Sequence, residues 1–158
     1  LKTEFRRAIQ PLELRSLMAF DRRVFPAADR FDAEYWGLCD AWWLLVDGVK
    51  AGCCAFEKDS NLYIATTGIL PKYQGRGLGA LMKAWQIAYA RTHGFDRLVT
   101  HSRQSNAAII ALNRRFGFRV VRTVKNYYEE PAEAGVVMRL DLTARPDSAS
   151  VEWYRRHA

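Results

Sequence analysis

The chain has 158 residues, 49% of them hydrophobic, and a formal charge of +7. That is enough chain for one core-bearing domain and too apolar a composition for a disordered one. No apolar run approaches the ~18 residues of a membrane span, and no basic run of about five or more marks a nucleic-acid tail. Neither a membrane nor a nucleic acid is therefore expected as partner. The positive charge favours an anionic partner such as a phosphorylated cofactor, or serves solubility alone. The opening residues LKTEFRRAIQ lack the apolar core of a signal peptide. Cys39, Cys53 and Cys54 are too few for a disulfide framework or a zinc site, and read as reduced thiols of a cytoplasmic protein.

Taken in order, residues Phe5 to Gln10 read as a first strand, and Pro11 opens a helical stretch carrying Leu14, Leu17, Met18 and Val24. A second helix is expected from Asp32 to Leu38. AWWLLV (41–46) reads as a buried strand, with Trp42 and Trp43 on opposite faces. Asp47-Gly48 turns it into a partner strand, Val49 to Glu57, which carries Cys53 and Cys54 as core thiols. After Asp59-Ser60-Asn61 a further strand covers Leu62 to Ile69. The spacing of Leu78, Leu81, Met82, Trp85, Ala88 and Tyr89 predicts a helix from about Gly77 to His93, stopped by Gly94. Leu98 to Ser102 is a strand. Ser105 or Asn106 caps a helix, AAIIALNRRF, that ends at Gly117. Phe118 to Val124 and Val136 to Leu142 are the last strands. Residues 143–158 form a polar C-terminal tail beyond a domain of residues 1–142, with Trp153 and Tyr154 able to dock back. Strand, glycine loop, helix and strand over 62–102 form a crossover unit, so its two strands are expected to be parallel.

The stretch QGRGLGALMKAW (74–85) places three glycines in five positions before an apolar helix. The first N–H groups of a helix have no internal partners, and the helix dipole adds positive charge there. Bare residues let a phosphate approach them closely. Walker A fails, because no Gly-Lys-Ser/Thr follows. Gly75, Gly77 and Ala80 satisfy the dinucleotide fingerprint formally. However, the strand after the helix ends in His101-Ser102-Arg103 rather than an acid, and an antiparallel meander precedes it.

Gln74-Gly75-Arg76-Gly77-Leu78-Gly79 matches the Q/R-x-x-G-x-G/A signature of the GCN5-related N-acetyltransferases, and SNAAIIALNRRFGF resembles a second stretch of that family. Over residues 4–142 the chain resembles this family. It looks nearest to the ribosomal-protein alanine acetyltransferase branch, which shares the SNAA and IAL elements and a later Asn-Tyr-Tyr, here Asn126-Tyr127-Tyr128. The resemblance implies an α/β fold: a mixed, twisted, mostly antiparallel sheet with a central splayed parallel pair and helices on both faces. It implies acetyl-CoA as co-substrate, with no metal. The pyrophosphate would lie on N–H groups of Gly75, Arg76, Gly77, Leu78, Gly79 and Ala80, in the loop that Gln74 opens. The pantetheine arm would run beside Thr67, Gly68 and Ile69 as an added strand, with the Ile69 N–H toward the thioester carbonyl. Asn106 would reach the cofactor from the next helix start.

Acetylation of an amine needs one group to take a proton and another to return one to the leaving thiolate. Here the sequence departs from that branch: His101 stands where its glutamate would be, and Asn113 where its acidic tyrosine would be. The expected catalytic pair is His101 as base, with an ordinary pKa of ~6.5, and Tyr128 as acid, from the loop before the last strand. Packing roles compete for both. Because both proton-handling positions differ, a small-molecule amine such as an amino sugar is the preferred acceptor. A protein N-terminus, a lysine, or CoA binding without turnover are the alternatives, and a homodimer is left open.

Overall fold

The computed structural model describes residues 1–142 and 148–157. Seven strands form one sheet: β1 (Thr3–Arg7), β2 (Asp40–Val46), β3 (Val49–Lys58), β4 (Leu62–Ile69), β5 (Arg97–Arg103), β6 (Arg119–Tyr128) and β7 (Glu133–Asp141). Their order across the sheet is β1-β2-β3-β4-β5-β7-β6. Every neighbouring pair is antiparallel except β4 and β5. The helices are α1 (Leu14–Val24), α2 (Ala33–Leu38), α3 (Leu78–Thr92), α4 (Ala107–Arg115) and α5 (Ser148–His157).

Two apolar layers flank the sheet. On one face α1 and α2 pack Leu17, Phe20 and Trp36 against Trp43 and Cys53. On the other, α3 packs Leu78, Met82, Trp85 and Tyr89 against Phe5, Leu44 and Phe56. Trp42 belongs to the second layer and Trp43 to the first, the alternation that a strand imposes. Burial pushes the Cys54 thiol up to about 12, so it stays neutral, and all three cysteines are free and buried. Among the described residues no helix is long and apolar enough to cross a membrane.

The local signals explain most boundaries. Asp47 (φ 48°) and Gly48 (φ 81°) build the tight hairpin turn between β2 and β3. Asp32 caps α2 by accepting the Tyr35 N–H at 2.8 Å. Asn106 caps α4 by accepting the Ile109 N–H at 3.2 Å.

Three expectations need correction, and a fourth is met. The first strand ends at Arg7, because the Gln10 side chain turns away to bond the carbonyls of Trp36 and Cys39. Helix α1 begins at Leu14 and not at Pro11: Glu13 folds back to accept the Ile9 N–H at 2.7 Å, which makes residues 9–13 a turn. Strand β6 runs on to Tyr128, so Tyr127 and Tyr128 lie on a strand and not in a loop; pairing resumes at Tyr128↔Glu133 after a register shift. The tail holds a helix, α5, whose Tyr154 ring stacks 5.8 Å from that of Trp85, so the docking of Trp153 and Tyr154 on the core is observed.

Candidate active site

Strands β4 and β5 pair only at Leu62↔Leu98 and Tyr63↔Val99. Beyond Tyr63 they part, while β4 remains paired to β3 as far as Ile69. The Leu70 N–H bonds the Ala51 carbonyl of β3 at 2.9 Å. Backbone groups alternate sides along a strand, so Gly68 turns toward β3, and Thr67 and Ile69 turn toward the gap. The result is an open strand edge inside a sheet, a place for another extended chain to lie.

At the head of this gap stands the N-terminus of α3. Gly77 is its N-cap, with φ 79°, and no side chain caps the helix. Gly75 has φ 77°. Both positions demand glycine for their left-handed backbone alone. Gly79 differs, because its backbone is ordinary and a Cβ there would meet only Leu112, at 3.9 Å. Nothing inside the protein requires Gly79 to be bare, although glycine weakens a helix by ~1 kcal/mol against alanine. An outside group approaching the helix start is the remaining reason. The Gln74 amide donates to the Ile69 carbonyl at 3.0 Å and folds the loop against the strand end. Arg76 stacks beside Tyr73, 5.4 Å from its ring centroid. Gly68 has a packing reason, since a Cβ would lie 3.0 Å from Val24 and 3.3 Å from Phe25 of the α1 end. Uncapped N–H groups beside an open strand edge fit a ligand with a phosphate at one end and an amide-bearing arm at the other.

The gap widens into a cavity of about 610 Å³, lined among others by Thr67, Lys83, His101, Asn106, Tyr127 and Tyr128. His101 Nδ1 lies 2.8 Å from the Tyr128 hydroxyl. The two residues expected to handle protons are therefore joined directly, from strands β5 and β6. With Nδ1–H donating to the Tyr128 oxygen, Nε2 is left as a base; with the other tautomer, Tyr128 donates to Nδ1. Burial holds the His101 imidazole below its ordinary range, and the Glu57 charge opposes that only in part. His101 is thus neutral and ready to accept a proton at neutral pH. Burial pushes the Tyr128 hydroxyl up to about 12, with Tyr127 adding to it. The Asn106 cap uses Oδ1, and among the described residues its amide N–H₂ has no partner beside the cavity. Asn113 is not at the cavity: it is buried with its amide toward Met138 Sδ at 3.7 Å. Among the described residues no three His, Cys, Asp or Glu side chains gather as a metal site.

Arg103 belongs to no motif that marks it as a site residue, yet it holds the cavity wall together. It pairs with Asp29 at 2.9 Å and with Glu133 at 3.3 Å. It also donates to the Glu129 and Pro131 carbonyls at 3.0 and 2.9 Å, and it lies 4.6 Å from the Tyr128 ring centroid. One guanidinium thereby ties the β6–β7 turn to the segment after α1 and fixes Tyr128. Its signal in the sequence is the two-residue spacing from His101, which puts both on one face of β5. Lys83 belongs to no motif either; it is buried on α3, one helical turn beyond Gly79, so it falls on the cradle's face. Replacing Arg103 with alanine should free the β6–β7 turn. A catalytic group misplaced by ~1 Å can cost about 10²-fold, so kcat/KM is expected to fall toward that extent. Steady-state kinetics beside cofactor calorimetry checks this, since affinity at the α3 cradle should not change.

A parallel pair that parts beside an uncapped, glycine-opened helix defines an α/β fold built to hold a phosphate-bearing ligand inside its sheet. The chain belongs to the Acetyltransferase (GNAT) family, whose model matches residues 10–118. It is similar to N-alpha-acetyltransferase 50 of Danio rerio, 30% identical over 142 residues, which is 83% of this chain and 84% of the relative. It also resembles the probable N-acetyltransferase san of Drosophila melanogaster, 34% identical over 106 residues, 63% of this chain and 58% of that one. Among solved structures, the ribosomal-protein-S18-alanine N-acetyltransferase of Escherichia coli superposes with a TM-score of 0.80 at 20% identity, over 93% of this chain and 98% of that one. Arabidopsis thaliana Naa50 in complex with the bisubstrate analogue CoA-Ac-MVNAL gives 0.78 at 21% identity, over 90% and 100%. The expected fold is thus the observed one, and the chain is an acetyltransferase of this family.

Proposed function

We propose that the chain moves an acetyl group from acetyl-CoA to the α-amine of a peptide or protein N-terminus. The observation that carries this reading is the shape of the wall around His101. Two aromatic pairs, Phe31 with Tyr35 and Tyr127 with Tyr128, line the open cavity that also holds the His101–Tyr128 contact. An extended chain end fits between such walls, with its first side chain against the rings and its amine toward the imidazole. A small-molecule amine such as an amino sugar is the second reading, and the cavity lining argues against its polycationic forms. A polycationic amine needs free carboxylates, and Asp29, the one acid among the described lining residues, is held by Arg103. The similarity to an N-alpha-acetyltransferase over most of both chains supports the same direction.

Acetyl-CoA supplies the activated acyl group as a thioester. The N–H groups at the start of α3 would hold its pyrophosphate, and Thr67 and Ile69 would offer the strand edge to its arm. The Ile69 N–H, which faces the gap, would be the donor for the acetyl oxygen, where charge develops. His101 takes the proton that the attacking amine releases, and the Tyr128 contact fixes the ring for that transfer.

The test is a competition assay read by mass spectrometry. Peptides with free N-termini, the same peptides with blocked N-termini and exposed lysines, and a panel of amino sugars and polyamines are offered together with acetyl-CoA. Acetylation at the peptide α-amine is the expected product. Preferential modification of the sugars or polyamines would reverse the acceptor assignment. Acetyl-CoA binding with neither thiol release nor any acetylated acceptor would leave a CoA-binding fold without transfer.

A further inference from the structure

Lys83 has 3% of its surface exposed and lines the same cavity as Thr67, Thr100 and His101. Among the described residues no carboxylate is paired with it; every ion pair there involves other cations. The titratable group that bears on it is the Cys54 thiol of β3, which burial keeps neutral. Its ammonium instead sits 5.1 Å from the Phe118 ring centroid. A buried lysine without a counter-ion weakens a fold, so packing does not explain it.

Position supplies a reason. Gln86, three residues on and on the same helical face, donates to the Thr67 hydroxyl at 2.8 Å. Lys83 therefore lies under the open edge of β4, where the arm of the thioester is placed. Phe118, beside its ammonium, bonds the Asn113 carbonyl through its N–H at 3.0 Å. Asn113 cannot supply a proton, and its amide is turned to Met138. A proton donor on α3 would thus do from below what α4 does not.

We propose that Lys83 is the acid of the acetyl transfer, giving a proton to the coenzyme A sulfur as it leaves. This rests on the acetyl-transfer reading above. The acceptor nitrogen bonds to the acetyl carbon and its proton passes to His101. The carbon–sulfur bond breaks, its electron pair stays on sulfur, and the Lys83 proton joins it there. Lys83 regains a proton from solvent and His101 returns its own, so the balance is amine plus thioester to amide plus thiol. Burial lowers the Lys83 ammonium to about 8, against a weaker opposing effect of Cys54. It is still charged at neutral pH, and it is matched to a thiol of ~8.5.

The experiment compares wild type with Lys83→Met and Lys83→Arg, in binding and in turnover. Coenzyme A is bound to each and its thiol titrated by ultraviolet thiolate absorbance. In wild type the bound thiol should ionise at least about one unit lower than in Lys83→Met, because an adjacent cation favours the thiolate. With a low-pKa α-amine acceptor, wild-type kcat should fall as pH rises through about 8. Lys83→Met should lose about 10²-fold in kcat together with that alkaline limb, while acetyl-CoA affinity stays within about threefold. Lys83→Arg keeps the charge but holds its proton too tightly to give it up, so it should not restore the rate. Unchanged thiol ionisation and kcat in Lys83→Met would overturn the proposal, as would full rescue by arginine or an acetyl group found on Lys83 itself. Should Lys83→Met not fold, Lys83→Arg and the wild-type titration decide alone. Absence of wild-type turnover with every acceptor overturns the acetyl-transfer reading and this one with it. Wild-type turnover with an indifferent Lys83→Met sinks this one only.

Discussion

Replacing His101 with alanine is expected to remove about 10²- to 10⁴-fold of turnover, the ordinary contribution of a positioned base. Acetyl-CoA affinity should hardly change, since the uncapped start of α3 and the Thr67–Ile69 edge lie on other elements. The pH profile carries the sign. Burial lowers the His101 pKa, so the neutral base persists to lower pH than an ordinary imidazole. Activity should therefore rise with pH through an ionisation below the usual ~6.5 and should gain nothing further from this group above it. An acceptor of low pKa is needed, because its own amine titrates too. Tyr128→Phe removes the 2.8 Å partner; if Tyr128 only orients the ring, the loss should be an order of magnitude or less. If Tyr128 relays the proton, its removal should match His101→Ala. A His101→Ala enzyme with wild-type kcat and profile would make the imidazole structural.

A valine at Gly79 is expected to weaken acetyl-CoA binding at least about tenfold while the fold survives. Losing one charge-assisted hydrogen bond costs about 1.5–3 kcal/mol, and 1.4 kcal/mol is a factor of ten. Gly79 is a cleaner site for this test than Gly77 or Gly75. Those two have left-handed backbones, so a side chain there strains the loop and confuses folding with binding. At Gly79 a Cβ meets only Leu112 at 3.9 Å, and replacing a helical glycine removes a flexibility cost. Calorimetry beside a thermal melt separates the two effects. Unchanged affinity in a folded Gly79→Val protein would remove the cradle from this site.

The elements were legible where their ends are marked locally. Leu62–Ile69, bounded by Asn61 and Pro71, agrees residue for residue, and Gly77 and Asn106 open α3 and α4 as their chemistry dictates. The splay was legible only through resemblance, because no local residue says that β4 and β5 part after Tyr63. The end of β6 was lost for a physical reason. As the last strand of the sheet it shifts register between Val124 and Tyr128, and alternation cannot be read across such a break. His101 was found by motif position, but its Tyr128 partner is held by Arg103, which reaches Asp29 across 74 residues of chain. The spacing from His101 puts Arg103 on the right face of β5, but no pattern shows that it pairs with Asp29. Lys83 was hidden in plain pattern: a lysine on an amphipathic helix reads as its solvent side, and only the structure turns it inward.

The central claim joins three things in one place: a phosphate cradle at α3, an open edge of β4, and an α-amine brought to His101. A conjugate linking the coenzyme A sulfur, through an acetyl bridge, to the α-nitrogen of a short peptide would occupy all three at once. Its affinity, measured by calorimetry against coenzyme A alone and the peptide alone, is the most direct test. Linking the two ligands makes the second binding event intramolecular, so the conjugate should bind about 10²-fold or more tighter than coenzyme A, with the gain reduced in Arg103→Ala and the whole affinity reduced in Gly79→Val. A conjugate that binds no tighter than coenzyme A would mean that the His101 cavity does not receive a peptide amine.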